Sequence, residues 1–116
     1  IPWSPLARGL LGRSETTTRQ TTDEFGKRLY GSESDAAVVA EVEALAREKD
    51  VSPARIALAW ILGAPGVTAP IIGTTKLEHI EEAVASLDLV LTPEERARLE
   101  APYQPHPVLG HQQPKA

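Results

Sequence analysis

Two short apolar runs constrain this chain more than anything else in it. Ile1-Pro2-Trp3 reads as the end of a buried strand, and Thr68-Ala69-Pro70-Ile71-Ile72-Gly73 reads as another, with Pro70 marking the strand's beginning or an irregular approach to it. Each run leads, through a loop or turn, into helix-patterned sequence. The expected order is strand, long loop, helix, helix, strand, helix, helix, tail. Strands that are apolar throughout belong in a parallel sheet covered on both faces. Two of them alone leave rows of backbone N–H and C=O groups unpaired, so the expected class is α/β with more strands than this chain holds. Ile1 also opens an apolar element without a cap, a turn or a polar lead-in, which suggests a piece of something larger.

The helices announce themselves by spacing and by their caps. Between Asp35 and Lys49, Val38, Val42, Leu45 and Ala46 form one apolar stripe, with Glu41, Glu43, Arg47 and Glu48 largely off it. Ser52-Pro53 supplies a side-chain oxygen for free N–H groups and then a residue that has no N–H to satisfy. The helix from Ala54 to Leu62 is apolar nearly all round and must be covered on several sides. Gly63-Ala64-Pro65-Gly66 ends it. A second stripe, Leu77, Ile80, Val84 and Leu87, predicts a helix over 77–88. Thr92-Pro93-Glu94-Glu95 is a capping box that starts a last short helix to about Glu100. From Gly12 to Ser34 the chain is polar and Thr-rich, and such long stretches usually turn out functional or disordered. Residues 102–116, with four prolines, form a wrapped or mobile tail.

Composition narrows the function. The 116 residues carry no cysteine, which removes disulfides, thiolate metal sites and a cysteine nucleophile. A net charge of −4 offers no global field for nucleic acid or anionic lipid. There is neither an apolar run long enough to span a bilayer nor the layout of a signal peptide. A soluble, cytoplasmic protein is expected, with any phosphate held locally.

Gly73-Thr74-Thr75-Lys76 lies where a strand hands over to a helix, a place that gathers free N–H groups and the positive helix end. Gly73 lets a ligand come close to the backbone, two hydroxyls add donors, and Lys76 adds a full charge. The bland alternative is a capped turn with a solvated lysine. Ser4-Pro5-Leu6-Ala7-Arg8-Gly9 makes a similar turn after the first run. Arg8, Arg13 and Arg19 are either a solvated basic loop or a flap over a polyanion. His79, in the first helical turn beside the cradle, could reach the same phosphate or stack on a base. His106 and His111 make a poor metal site. Glu81 and Glu82 read by default as a solvated face. Trp60 reads as core, and Trp3 as either core or the lining of a pocket. Neither Tyr30 nor Tyr103 has a basic neighbour that suggests an activated phenol.

These pieces, in this order, resemble the C-terminal third of an aldo-keto reductase, in the group of bacterial enzymes related to potassium-channel β subunits. The segments that carry the resemblance are Trp3-Ser4-Pro5-Leu6-Ala7-Arg8-Gly9, Val51-Ser52-Pro53-Ala54 through Ala59-Trp60, Pro70-Ile71-Ile72-Gly73-Thr74-Thr75-Lys76 and Leu91-Thr92-Pro93-Glu94-Glu95. The resemblance implies an eight-stranded TIM-type β/α barrel, with Ile1–Trp3 as its seventh strand and Ala69–Ile72 as its eighth. Both turns then lie at the C-terminal face, where barrel enzymes keep their sites. Residues 1–116 would be the C-terminal, NADP-binding portion, ending in the 102–116 tail.

The resemblance further implies NADP(H) as cofactor. Its pyrophosphate would lie under Ser4, Pro5, Leu6, Ala7 and Arg8 beside Trp3, with the segment through Arg13 and Arg19 folding over it. The 2′-phosphate would sit on Gly73, Thr75 and Lys76, with His79 beside it and Glu82 reaching the adenine amino group. At Ala83 many members have an asparagine that also contacts adenine. Family activity is the reduction of aldehydes and ketones by hydride transfer, with a tyrosine, lysine, histidine and aspartate from the first half of the barrel. None of those motifs is present, so this chain alone is expected to be inactive and to need the remaining strands. The alternative is a non-catalytic NADP-binding regulatory or interaction module. No metal, nucleic-acid or membrane partner is expected.

Overall fold

The computed structural model describes residues 1–12 and 29–107. Within them, helix α1 spans Glu33–Lys49, α2 Pro53–Leu62, α3 Leu77–Ala85 and α4 Pro93–Glu100, with short 3-10 turns at Ala7–Gly9 and Ser86–Asp88. Each long element starts where local chemistry allows it. Ser52 Oγ accepts from Arg55 N and Pro53 opens α2. Thr92 and Glu95 cap α4 reciprocally, with Glu95 N donating to Thr92 Oγ1 at 3.1 Å and Thr92 N donating to Glu95 Oε2 at 2.9 Å.

α1 begins two residues before the expected Asp35. The reason is a second capping box: Asp35 N donates to Ser32 Oγ and Ser32 N donates to Asp35 Oδ2, both at 3.1 Å. The helix ends at Asp50, whose φ of 55° takes the left-handed conformation that a short polar side chain tolerates. α3 stops at Ala85, earlier than the spacing predicts, and its last apolar residue, Leu87, lies in the following 3-10 turn.

The core is built from the expected stripe. Val42, Leu45 and Ala46 of α1 meet Ile56 and Ala59 of α2, closed below by Leu91 and Leu99. Ile56 is fully buried. Val38, Val51, Leu89 and Trp60 pack at its margin. The all-round apolar α2 is covered as its composition requires, by α1 on one side and by α3 and the 86–88 turn on the other. Trp60 is half-buried, not central. Its indole N–H donates to Glu100 at 2.8 Å, and the Arg96 guanidinium lies 5.4 Å from its ring centroid while donating to the Trp60 carbonyl.

Polar ties hold α4 across α1. Arg98 donates to Glu41 and to both oxygens of Glu48, and Lys49 pairs with Glu95 at 2.7 Å. Glu41 and Glu48, which the periodicity puts off the apolar stripe, are thus partners of a neighbouring helix. Ser34 Oγ donates to the Pro102 carbonyl and accepts from Gln104 N, which fastens the start of the tail to the first turn of α1.

These ties have a pH signature. Arg98 holds the Glu48 carboxyl below its ordinary value of 4.5, Lys49 does the same for Glu95, and Arg55 and Ser52 for Glu82. A carboxyl depressed on folding contributes stability above its unfolded value and loses that contribution as protons are taken up below it. Melting temperature should therefore be flat from neutral pH down to about 5.5 and fall once pH passes below about 4.5. A scan in which stability instead rises through that window would refute the pairing.

The strands differ from expectation. Among the described residues the sheet consists of a single parallel bridge, Trp3 with Ile71, made by Ile71 N donating to the Pro2 carbonyl at 2.8 Å. Direction and partners agree with the reading of two adjacent parallel strands, but neither extends into a ladder. A lone parallel pair has one bonded edge and two open ones, too little to hold longer strands. The apolar residues beside it remain in water: Ile1, Trp3, Ile71 and Ile72 are 40–79% exposed. Trp3 is therefore not core among these residues. The α3 stripe is a helix face as predicted, yet it points outward, with Leu77 and Leu87 more than 60% exposed.

Candidate functional site

The parallel sense of the Trp3–Ile71 bridge decides where the two turns go. Chains that run the same way leave a pair at the same end. The Ser4–Gly9 loop after Trp3 and the Gly73–Lys76 turn after Ile71 therefore emerge side by side, at the carboxyl end of the bridge. In α/β sheets that end is where ligands bind.

The first turn is wound tightly against backbone preference. Ser4, Ala7 and Arg8 have φ values of 53°, 49° and 57°. Left-handed conformations cost residues with a Cβ about 1–2 kcal/mol each. Gly9, at 99°, is the one residue of the loop suited to positive φ. Ala7 N donates to the Ser4 carbonyl at 3.0 Å, and Gly9 N and Leu11 N both donate to the Leu6 carbonyl, so the loop is held by its own backbone. Strain concentrated at the end of a strand is commonly found where a ligand is held. Pro5, Leu6, Ala7 and Arg8 are half-buried, and Trp3 stands exposed at the loop's root. Arg13 and Arg19 lie outside the described residues.

The second turn is organised by Thr74. Its Oγ1 accepts from Lys76 N at 3.1 Å and lies 3.0 Å from His79 Nδ1. One hydroxyl thus fixes both the bend before α3 and the imidazole one turn into it. Lys76 is the N-cap residue, extended at φ −122°, and no side chain caps the first turn. Gly73, Thr75, Lys76 and His79 are all exposed on this corner. Among the described residues, a Cβ placed on Gly73 would meet no atom within 4 Å beyond its chain neighbours, so the side that the missing side chain leaves open is clear there. The sequence reading counts the Thr74 hydroxyl as a donor to a ligand, and the structure instead commits it to the turn itself. The signal for that role was present, a threonine two residues ahead of a helix start, where its hydroxyl can bond to backbone two residues on.

Glu82 and Ala83 sit further along α3, half-buried. The Glu82 carboxylate turns toward the start of α2. Oε2 accepts from Ser52 Oγ and from Arg55 Nε at 3.1 Å, and Oε1 accepts from Arg55 Nη2 at 2.8 Å. These charge-assisted bonds keep its carboxyl below the ordinary carboxylate range. Of the pair expected by default to form a solvated face, Glu81 is exposed, whereas Glu82 makes a bidentate ion pair between helices. Among the described residues no group of three or more His, Asp or Glu side chains is placed to hold a metal ion, and no helix is long and apolar enough to cross a membrane.

Two strand-to-turn corners thus emerge together, one wound with positive φ and one opening onto a helix whose first turn has no side-chain cap. The model of the Aldo/keto reductase family matches residues 1–104, and the chain belongs to that family. It is similar to the versiconal hemiacetal acetate reductase of Aspergillus parasiticus, with 47% identity over 111 residues, covering 90% of this chain and 32% of that protein. It is also similar to an aldo-keto reductase of Fusarium vanettenii, with 35% identity over 116 residues, covering 96% of this chain and 31% of that protein. The chain therefore spans about a third of the length of the curated relatives it matches.

Proposed function

We propose that this chain is the cofactor-binding, C-terminal portion of an NADP-dependent aldo-keto reductase, contributing strands seven and eight of a β/α barrel with their helices. The complete barrel reduces an aldehyde or ketone to an alcohol. The observation that carries this reading is the parallel Trp3–Ile71 bridge, which brings the Ser4–Gly9 loop and the Gly73–Lys76 turn to one end. The exposed flank of that bridge and the exposed α3 stripe suit surfaces that neighbouring barrel elements cover.

The residues present fit a phosphorylated dinucleotide. An uncapped helix start, an open glycine and a lysine at the N-cap make a cradle for the 2′-phosphate at Gly73, Thr75 and Lys76. His79, steadied by Thr74, lies beside it. The pyrophosphate would rest against Ser4 to Arg8, and Arg13 and Arg19 are proposed to fold over it. When bound, the nicotinamide supplies the hydride. This chain's share of the work is to grip the anionic groups and fix the dinucleotide's direction. It offers no tyrosine–lysine pair for proton delivery, so the segment by itself is proposed to be inactive.

Gly73 separates binding from folding. Gly73→Ala introduces a methyl group that no atom of the described residues opposes, so unfolding free energy should stay within about 0.5 kcal/mol of the parent. NADPH affinity of the complete reductase should fall about tenfold or more, because the phosphate's closest approach is obstructed. Nicotinamide fluorescence titration alongside thermal melting measures both. Unchanged affinity would remove the 2′-phosphate from this turn.

A further inference from the structure

We propose that α4 and the start of the tail, residues 93–104, form a strap fastened by charge. It lifts from α1 and α2 as one unit while the rest of the protein stays folded, and salt sets how often it does so. This goes beyond the cofactor reading and does not rest on it.

The seam between α1 and α4 is polar along its length. At one end Ser34 Oγ donates to the Pro102 carbonyl at 2.9 Å and accepts from Gln104 N at 3.0 Å. In the middle Arg98 reaches Glu41 at 2.7 Å and the two oxygens of Glu48 at 2.8 and 2.9 Å. At the other end Lys49 meets Glu95 at 2.7 Å. Numbers rise along α1 as they fall along α4, so the helices run antiparallel and the ties make one continuous row. The charged side chains in it are 21–57% exposed, which puts them within reach of dissolved ions. Exposed pairs of this kind each contribute little, and salt weakens them. Arg98 and Lys49 keep Glu48 and Glu95 ionised, so these pairs carry full charge near neutral pH.

One apolar anchor supports the row. Leu99 is the single buried residue of α4, whereas α1 buries three residues and α2 four. The other seven residues of α4 are three glutamates, two arginines, a proline and an alanine, so the helix has no further large apolar side chain to bury. Toward α2 its contacts are polar again: Glu100 accepts from the Trp60 indole, and Arg96 donates to the Trp60 carbonyl. Segments with few buried apolar contacts are the ones that open locally. An eight-residue helix does not persist alone in water, so lifting and unwinding coincide. Opening withdraws Leu99 from the core it shares with Val42, Leu45 and Ile56.

Hydrogen exchange of the complete reductase, followed by mass spectrometry where rates report the opening equilibrium, tests this. Residues 93–104 should exchange together, about tenfold or more faster than α2 relative to their unprotected rates. Raising sodium chloride from about 0.05 to about 0.5 M should speed them about threefold and leave α2 unchanged. Arg98→Ala should speed the strap several-fold in low salt and remove most of the salt response. Arg98→Lys, which keeps the charge and loses the fork, should fall between that variant and the parent, and it serves if the alanine variant does not fold. Ser34→Ala should speed the amides of α4 itself, although none of them bonds to Ser34. Acceleration confined to Gln104 would overturn the single unit. Exchange of α4 at the rate of α2 would overturn the strap, and exchange indifferent to salt would overturn its fastening by charge.

Discussion

Lys76→Ala should weaken NADPH binding to the complete reductase by about 1–3 kcal/mol, roughly five- to 150-fold, while NADH affinity changes little. Lys76 stands at the N-cap of α3, exposed, with its backbone N–H already committed to Thr74 Oγ1 at 3.1 Å. What it has to offer a ligand is therefore its ammonium group. The two cofactors differ only in the 2′-phosphate, so the double comparison isolates that charge. Fluorescence titration of both nucleotides against both proteins gives the coupling directly. Equal losses for NADPH and NADH would mean that Lys76 acts elsewhere on the dinucleotide, or through the helix start. The effect should also shrink at high salt, because the exposed ammonium is screened over about a Debye length.

The second large effect is structural. Ile56→Ala should cost about 2–5 kcal/mol of unfolding free energy. Ile56 is fully buried in α2 and sits among Val42, Leu45, Ala46, Leu91 and Leu99, residues from α1, α4 and the segment between. Removing its outer methyl groups leaves a void that none of these elements can close without separating from another. Denaturant unfolding should show a lower midpoint with little change in slope. A loss below 1 kcal/mol would mean that the helices are less tightly joined than their burial indicates. The Lys76 and Ile56 substitutions should also be independent, since one lies on an exposed corner and the other in the core.

How much of this was readable beforehand follows the range of the interactions. The starts of α2 and α4 were legible because a cap is decided within four residues, as at Ser52-Pro53 and at Thr92 with Glu95. The start of α1 was not, since Ser32 and Asp35 form the same device inside a polar run that reads as loop. The stripe in α3 was legible as a helix face, but a pattern states which side seeks burial and not what buries it. That face is in water among the described residues. Glu82 was the least legible. Its partners lie 27 and 30 residues away in sequence, and no spacing rule connects them. The turn was half read: Gly73, Thr74, Thr75 and Lys76 were named as one unit, but Thr74 was counted as a ligand donor, and its bonds to Lys76 N and toward His79 depend on a bend that the residue types alone do not specify. The family match over residues 1–104 agrees with the order of motifs that suggested it.

The outward-facing stripe of α3 has a practical corollary. Leu77, Ile80, Val84 and Leu87 are exposed, as are Ile71 and Ile72 before them in the chain. In solution this segment by itself is expected to act as an amphiphile does, kept apart by dilution and drawn together through these apolar side chains as concentration rises. Its handling, from expression level to the choice of detergent, is then a question of colloid chemistry as much as of folding.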